Sequence, residues 1–254
     1  MTKTLAVAGK GGTGKTTFAA LLIKYLSAHN LGTILAIDGD PSANLNLALG
    51  VALEETVGRI REDTATQVTS GSYDTSIPKS DFFEYEIYEA IVEGDQFDLI
   101  AMGRPEGPGC YCAANNILRL VIDRLGDQYD FVVIDNEAGM EHISRQTTRD
   151  VDCLFILTDM TMRGLNAAAR IKQLIQELGT RVYKAYLVIN RTNGDIPPLW
   201  QDKIEEFGLD LIGTLPNDPT VTELDVVGRP IIEASEDTPI YRAVAKIADD
   251  AGIH

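Results

Sequence analysis

Residues 9–17 read Gly-Lys-Gly-Gly-Thr-Gly-Lys-Thr-Thr and directly follow the apolar run Leu5-Ala6-Val7-Ala8. Gly9, Gly14, Lys15 and Thr16 fall at the fixed positions of G-x-x-x-x-G-K-[ST], a loop that wraps phosphate groups. Glycine tolerates positive φ, so backbone N–H groups along Gly11, Gly12, Thr13 and Gly14 can turn inward around phosphate oxygens. Lys15 would reach the β- and γ-phosphates, and the Thr16 hydroxyl would hold Mg²⁺, with Thr17 next in the same turn. A helix from Thr16 to about His29 would aim the positive end of its dipole at the same anion. A glycine-rich turn could match by chance, but the strand before and the helix after are the context the motif requires.

Carboxylates follow two further apolar runs. Asp38-Gly39-Asp40-Pro41 comes just past a second strand and places two acids at i and i+2, on one side of the pleat. Beside a phosphate loop, such a pair suits hydrolysis, one carboxylate near the metal and one orienting water. The bland alternative is an Asp-rich turn before a helix. Phe131-Val132-Val133-Ile134 ends in Asp135, the arrangement in which an Asp binds the water shell of Mg²⁺. Asn190 ends the run Tyr186–Ile189. Its carboxamide can both donate to and accept from adenine, although Asn at a strand end is also a common turn former. The guanine-selecting N-K-x-D is not matched by Asn190-Arg191-Thr192-Asn193, which favours ATP over GTP.

Cys110 and Cys112 sit in the Gly/Pro-rich run 103–112. Thiols at i and i+2 are poorly placed for a relaxed disulfide and well placed to grip one soft metal. Two ligands cannot complete a tetrahedral shell, but a two-fold dimer would supply four sulfurs on its axis. Buried, inert thiols are the alternative. Cys153 begins an apolar strand and reads as a core residue.

The elements that must position these groups alternate. Apolar β-rich runs lie at Leu5–Ala8, Thr33–Ile37, Phe97–Ala101, Phe131–Ile134, Cys153–Thr158, Tyr186–Ile189 and Asp210–Leu215. Helical patterns cover Asn116–Leu125, Leu165–Leu178, Leu199–Phe207 and Pro239–Ala251. The rhythm predicts an α/β fold: a mostly parallel central sheet of about seven or eight strands with helices on both faces. Active residues then belong at the carboxyl ends of the strands. Residues 63–81, rich in Ser, Thr, Gly and Asp, read as a mobile excursion within one domain spanning 1–254. Phe82, Tyr85 and Tyr88 follow at helical spacing, as a core-facing stripe. Trp200 and the tyrosines read as packing. No two of His29, His142 and His254 have ligand spacing, and His29 is placed to interact with a helix dipole.

Composition bounds the partners. The 254 residues carry a formal net charge of −16 and are 44% apolar, enough for one sizeable closed core. So acidic a chain repels nucleic acid and anionic membranes alike. No run of eighteen apolar residues suggests a membrane span, and the N-terminus enters the first strand directly, leaving no room for a signal peptide. Three cysteines do not make a secreted disulfide framework. The cytoplasm is the expected compartment.

With Lys10 ahead of Lys15, the pattern K-G-G-x-G-K-T-T resembles the deviant phosphate loop of the MinD/ParA/nitrogenase-iron-protein class of P-loop ATPases. The resemblance implies an ATP-sandwich homodimer in which Lys10 crosses the interface to the partner's nucleotide. D-x-D-P resembles the first switch of that class, implying that Asp40 orients the attacking water and Asp38 lies near Mg²⁺, with Asn44 marking the switch. Asp135 and Gly139 match D-x-x-x-G, where the Gly139 amide would sense the γ-phosphate; Glu137 stands where a small residue is common. Asn190 with Arg191 matches the adenine-contacting position. Leu215-Pro216-Asn217-Asp218-Pro219 resembles the second base-contacting segment.

The runs P-E-G-P-G-C-Y-C and D-N-E-A-G-M-E-H narrow this. They resemble the CooC-type ATPases, which support nickel insertion into the active-site cluster of carbon monoxide dehydrogenase. That resemblance spans essentially the whole chain. It implies hydrolysis of ATP to ADP and phosphate, and Ni²⁺ or Zn²⁺ shared between Cys110 and Cys112 of two subunits. The client would be carbon monoxide dehydrogenase, or acetyl-CoA synthase, whose accessory ATPase shares the same parts. An electron donor like the nitrogenase iron protein would need a cysteine shortly after Asp135, and residues 136–150 have none. An iron–sulfur cluster carrier ATPase stays open as an alternative, because its bridging cluster also uses two cysteines per subunit, although their usual spacing is C-x-x-C and this chain has C-x-C. A membrane-targeted MinD would need a basic amphipathic tail, and 241–250 has too few positive charges.

Overall fold

The computed structural model describes residues 2–71, 85–104, 124–137, 150–178 and 181–254. Among the described residues, eight strands form one sheet: β1 (Lys3–Gly9), β2 (Ile34–Asp38), β3 (Val92–Glu93), β4 (Asp98–Ala101), β5 (Phe131–Asp135), β6 (Asp150–Asp159), β7 (Arg181–Thr192) and β8 (Leu211–Pro216). Their order is β3-β4-β2-β5-β1-β6-β7-β8. Every pairing is parallel except that of the short edge strand β3 with β4. The helices are α1 (Lys15–Ala28), α2 (Leu45–Leu49), α3 (Val57–Ser70), α4 (Met162–Leu178), α5 (Pro198–Glu206), α6 (Pro219–Val226) and α7 (Pro239–Ala251), with a further helical turn over 85–89.

The central strands are continuous apolar runs because both faces of the sheet are covered. Side chains alternate between two cores. Leu5, Val7, Ala36 and Val133 face one side, with α1, α2 and α7. Ala6, Ala8, Leu35, Ile37 and Ile134 face the other, with Leu165, Ala168 and Ile171 of α4 and Trp200 and Ile204 of α5. Most of helix α1 lies within the first core: Phe18 through Ile23 are fully buried, and the Phe18 ring meets Phe155 at 5.0 Å between centroids. That burial fixes the helix behind the phosphate loop.

Two expectations are corrected. The supposed excursion at 63–81 begins inside α3, which runs to Ser70; residues 72–81 lie outside the described residues. Thr56 caps α3 by accepting from the Arg59 N–H, and Gly71 closes it at φ 74°. Among the described side chains of this helix, a thin stripe of Val57, Ile60 and Thr64 is buried and the rest face outward, so much of its surface is polar for an ordinary reason. The aromatic stripe is also reversed. Tyr85 and Tyr88 are exposed, while Ile87 and Ala90 face the core; Phe82 lies outside the described residues. Asn116–Leu125 is described only from residue 124, where the chain is helical. Cys153 is buried in β6, and its thiol is pushed up to about 12 by burial. His29 ends α1, its Nδ1 2.9 Å from the Tyr25 carbonyl oxygen.

Candidate nucleotide and magnesium site

The turn from β1 into α1 places the phosphate loop at the carboxyl end of the sheet. Thr13 is buried, and its hydroxyl donates to the Lys10 carbonyl at 2.8 Å, closing the loop on itself. Gly14 opens α1 in the left-handed region at φ 89°. A Cβ there would come 2.3 Å from Asn190 Nδ2, so only glycine fits. Lys15 is buried at the helix start, and Lys10 is exposed.

Asn190 reaches this loop from the end of β7. Its Nδ2 donates to the Thr13 carbonyl at 2.8 Å, and its Oδ1 accepts from the Arg191 N–H at 2.7 Å. Arg191 adopts φ 57°, an uncommon conformation for a non-glycine residue. The amide nitrogen therefore braces the phosphate loop while the oxygen is held by the next residue of its own strand, a link that sequence spacing could not reveal across 177 residues. Arg191, Pro216 and Asn217 nevertheless converge with Asn190, Gly14 and Thr17 on one pocket, completed by Val221, Thr222 and Ile240. Asp218 also borders it, and it caps α6: its carboxylate accepts from Thr220 N at 2.9 Å and Ile240 N at 3.0 Å. Burial pushes the Asp218 carboxyl up, but those two N–H groups outweigh it and hold it below the usual carboxylate range.

The acids meet on adjacent strands. Asp38 and Asp135 are direct partners in the β2–β5 register, beside Val7 of β1. Asp135 Oδ2 accepts from the Thr16 hydroxyl at 2.6 Å, whereas its Oδ1 is buried with no hydrogen-bond partner. Burial drives the Asp135 carboxyl up to about 7; the Thr16 hydroxyl and Lys15 pull it down, and Asp38 and Asp40 push it further up. Asp38 is fully buried and rises to about 6, again chiefly through burial. Its two oxygens accept from Asp40 N at 3.0 Å and Leu45 N at 2.8 Å, so it pins both ends of the loop that leads to α2. Asp40 is half-buried and accepts from Ser42 N at 2.8 Å, and Ala43 stands at φ 46° in the same loop. Asn44 and Arg229, the latter unforeseen, line a second, larger cleft with Thr16, Thr17, Leu47 and Arg191. Asn136 is a further unforeseen brace, its Nδ2 donating to the Val7 carbonyl at 2.9 Å.

A buried carboxylate oxygen without a partner, beside a helix-start hydroxyl and a second buried acid, is a donor set for a hard cation. Thr16 and Asp135 would hold Mg²⁺ there. Gly139, Cys110 and Cys112 lie outside the described residues. No described helix is long and apolar enough to cross a membrane.

Comparison with known proteins agrees with this geometry. The family model described as the CobQ/CobB/MinD/ParA nucleotide binding domain matches residues 4–231. An uncharacterized ATP-binding protein of Methanocaldococcus jannaschii is 44% identical over 245 residues, covering 96% of each chain. The carbon monoxide dehydrogenase accessory protein CooC of Rhodospirillum rubrum is 31% identical over 237 residues, covering 88% of this chain and 87% of that one. Among solved structures, the septum site-determining protein MinD of Pyrococcus horikoshii, complexed with Mg-ADP, superposes with a TM-score of 0.72 at 23% identity. The match covers 98% of this chain and 95% of that one.

Proposed function

The chain belongs to the CobQ/CobB/MinD/ParA nucleotide-binding family of P-loop ATPases, and on that premise we propose that it hydrolyses ATP to assist nickel insertion into carbon monoxide dehydrogenase. The observation that carries the ATPase part is the apposition of Thr16 and Asp135, with Asp135 Oδ1 left unpartnered beside the phosphate loop. Mg²⁺, when bound, supplies positive charge to the phosphate oxygens. Lys15 and the α1 N-terminus add fixed positive charge to the same end. Asp40, on a loop pinned by Asp38, orients the attacking water. The base occupies the pocket of Arg191, Pro216 and Asn217, and Asn190 stiffens the phosphate loop from behind it.

The nickel part is supported by the likeness to an accessory protein of carbon monoxide dehydrogenase and by Cys110-Tyr111-Cys112 in the sequence. The protein works in the cytoplasm as a single domain and an ATP-dependent homodimer. Cys110 and Cys112 of each subunit complete one tetrahedral site for Ni²⁺ as cargo, and Zn²⁺ fits the same ligands.

Two experiments test this reading. Asp40→Ala should bind ATP yet lose about 10²-fold or more in turnover, and an unchanged rate removes Asp40 from the reaction. Anaerobic Ni²⁺ titration should give one metal per two chains, abolished by replacing both Cys110 and Cys112 with Ser. One metal per chain, or tight binding in the double variant, refutes the shared site. Deleting the protein in a cell should starve carbon monoxide dehydrogenase of nickel; starvation of acetyl-CoA synthase alone would reassign the client.

A further inference from the structure

The end of β5 is held more firmly than a strand end needs to be. Asn136, the first residue past Asp135, is 3% exposed. Its backbone N–H donates to the Val7 carbonyl at 3.1 Å, the ordinary bond that continues the β5–β1 ladder. Its side-chain Nδ2 donates to the same carbonyl at 2.9 Å. One residue thus supplies two donors to a single oxygen, which has two lone pairs to receive them. The Val7 carbonyl does not need the second, because the backbone bond already satisfies it. A buried carboxamide is costly unless bonded, and an apolar side chain would have continued the strand without that cost. The second bond therefore serves something other than the ladder.

The neighbouring carboxylate is what it serves. Val7 precedes the phosphate loop and Thr16 follows it. The Thr16 hydroxyl donates to Asp135 Oδ2 at 2.6 Å. The whole loop is thus fastened at one end to Asn136 and at the other to Asp135, two consecutive residues. From the opposite side, Gly39 N donates to the Asp135 carbonyl at 2.8 Å. A Cβ on Gly39 would stand 3.2 Å from that oxygen, tighter than ordinary contact, so the chain leaving β2 comes as close as glycine allows. The Asp135–Asn136 peptide is gripped from both neighbouring strands. A carboxylate fixed in this way loses little further freedom when it takes up a cation.

We propose that Asn136 is a positioning residue for Mg²⁺: its side-chain bond to Val7 fixes the Asp135 carboxylate relative to the phosphate loop. The inference rests on the reading of Thr16 and Asp135 as the groups that hold the ion. Asn136 acts through Asp135 rather than by contact with the ion. Loss of its side-chain bond strands no buried group on Val7, because the Asn136 N–H still reaches that carbonyl. The fold survives, and the carboxylate gains freedom.

The test is the ADP affinity of the full chain by calorimetry, once in EDTA and once in saturating MgCl₂. The ratio of the two dissociation constants measures how strongly Mg²⁺ and ADP assist each other. Asn136→Leu keeps much the same volume and removes the donor. Its affinity for ADP in EDTA should stay within about twofold of wild type, while the gain from Mg²⁺ shrinks about tenfold, as when a group that orients a metal ligand is lost. Asp135→Asn sets the floor for that gain. Asn136→Ser keeps a donor and should recover part of it. Gly39→Ala presses on the same peptide from the β2 side and should also shrink the gain, which keeps the inference testable where Asn136→Leu folds poorly. A general weakening of the site would lower both affinities together and leave the ratio unchanged. An unchanged ratio in Asn136→Leu, or in Gly39→Ala where the former does not fold, overturns the positioning role. If Mg²⁺ leaves the ADP affinity of wild type itself unchanged, the ion site at Thr16 and Asp135 falls, and this inference with it.

Discussion

Asp135 shows how one residue can oppose folding while serving function. Its carboxyl is raised to about 7 and that of Asp38 to about 6, from an ordinary 3.8. Each is therefore protonated more readily in the folded chain than in the unfolded one. The unfolded state then binds fewer protons, so nucleotide-free stability falls as pH rises from about 4 through 7. Mg²⁺ beside Asp135 reverses the effect, because a cation favours the ionised form. Without nucleotide, Asp135→Asn should melt about 2–5 °C above wild type at about pH 8, and should lose the stabilisation by Mg-ATP. Thermal scans across pH check both. A lower melting point at that pH would show that the buried charge is not what destabilises the loop.

At the level of elements, Asp218 ties α6 to α7. Its carboxylate accepts from Thr220 N at the start of one helix and from Ile240 N at the start of the other. Asp218→Ala leaves two N–H groups without that acceptor and should cost about 2–4 kcal/mol, read from urea denaturation. Its carboxyl is held low, so the contribution is present above the unfolded value of 3.8 and lost as pH falls through the folded one. The two helices also show what was legible in the sequence. α7 was read with its observed bounds, since Thr238, Pro239 and Gly252 punctuate a strongly amphipathic stretch. α6 carries the same start signal in Asp218-Pro219, but in the sequence the signal falls inside a run that resembles a base-contacting loop. α3 is hard to see in the sequence because its described buried stripe is thin and its outward positions are charged or Thr, Gln and Ser. β3 pairs over two residues, too few for any alternation to register. The phosphate loop and the strand-end acids were readable because their chemistry demands fixed local spacing. The Asn190 brace was not, because it joins β7 to the loop through tertiary structure alone.

For the whole molecule, charge decides how two copies can meet. Each chain carries a formal −16, and a bound triphosphate adds more negative charge at the end where Asp38, Asp40 and Asp135 gather. Two such ends repel one another unless a cation crosses between them. Lys15 is buried at the start of α1 and serves its own loop, whereas Lys10 is exposed at the loop's mouth. If Lys10 acts across a dimer as proposed, its attraction to the partner's phosphates should be strongest when ATP, with its third phosphate, supplies the anion. Such an interface should also respond to salt in two opposing ways, since screening weakens both the general repulsion and the lysine–phosphate attraction. Lys10→Ala should bind ADP almost as wild type does, yet sediment as a monomer with a non-hydrolysable ATP analogue that makes wild type a dimer. Lys10→Arg keeps the charge and should retain part of the dimer. If Lys10→Ala dimerises as fully as wild type, Lys10 does not act across the interface, and another cation must offset the repulsion between the two nucleotide ends.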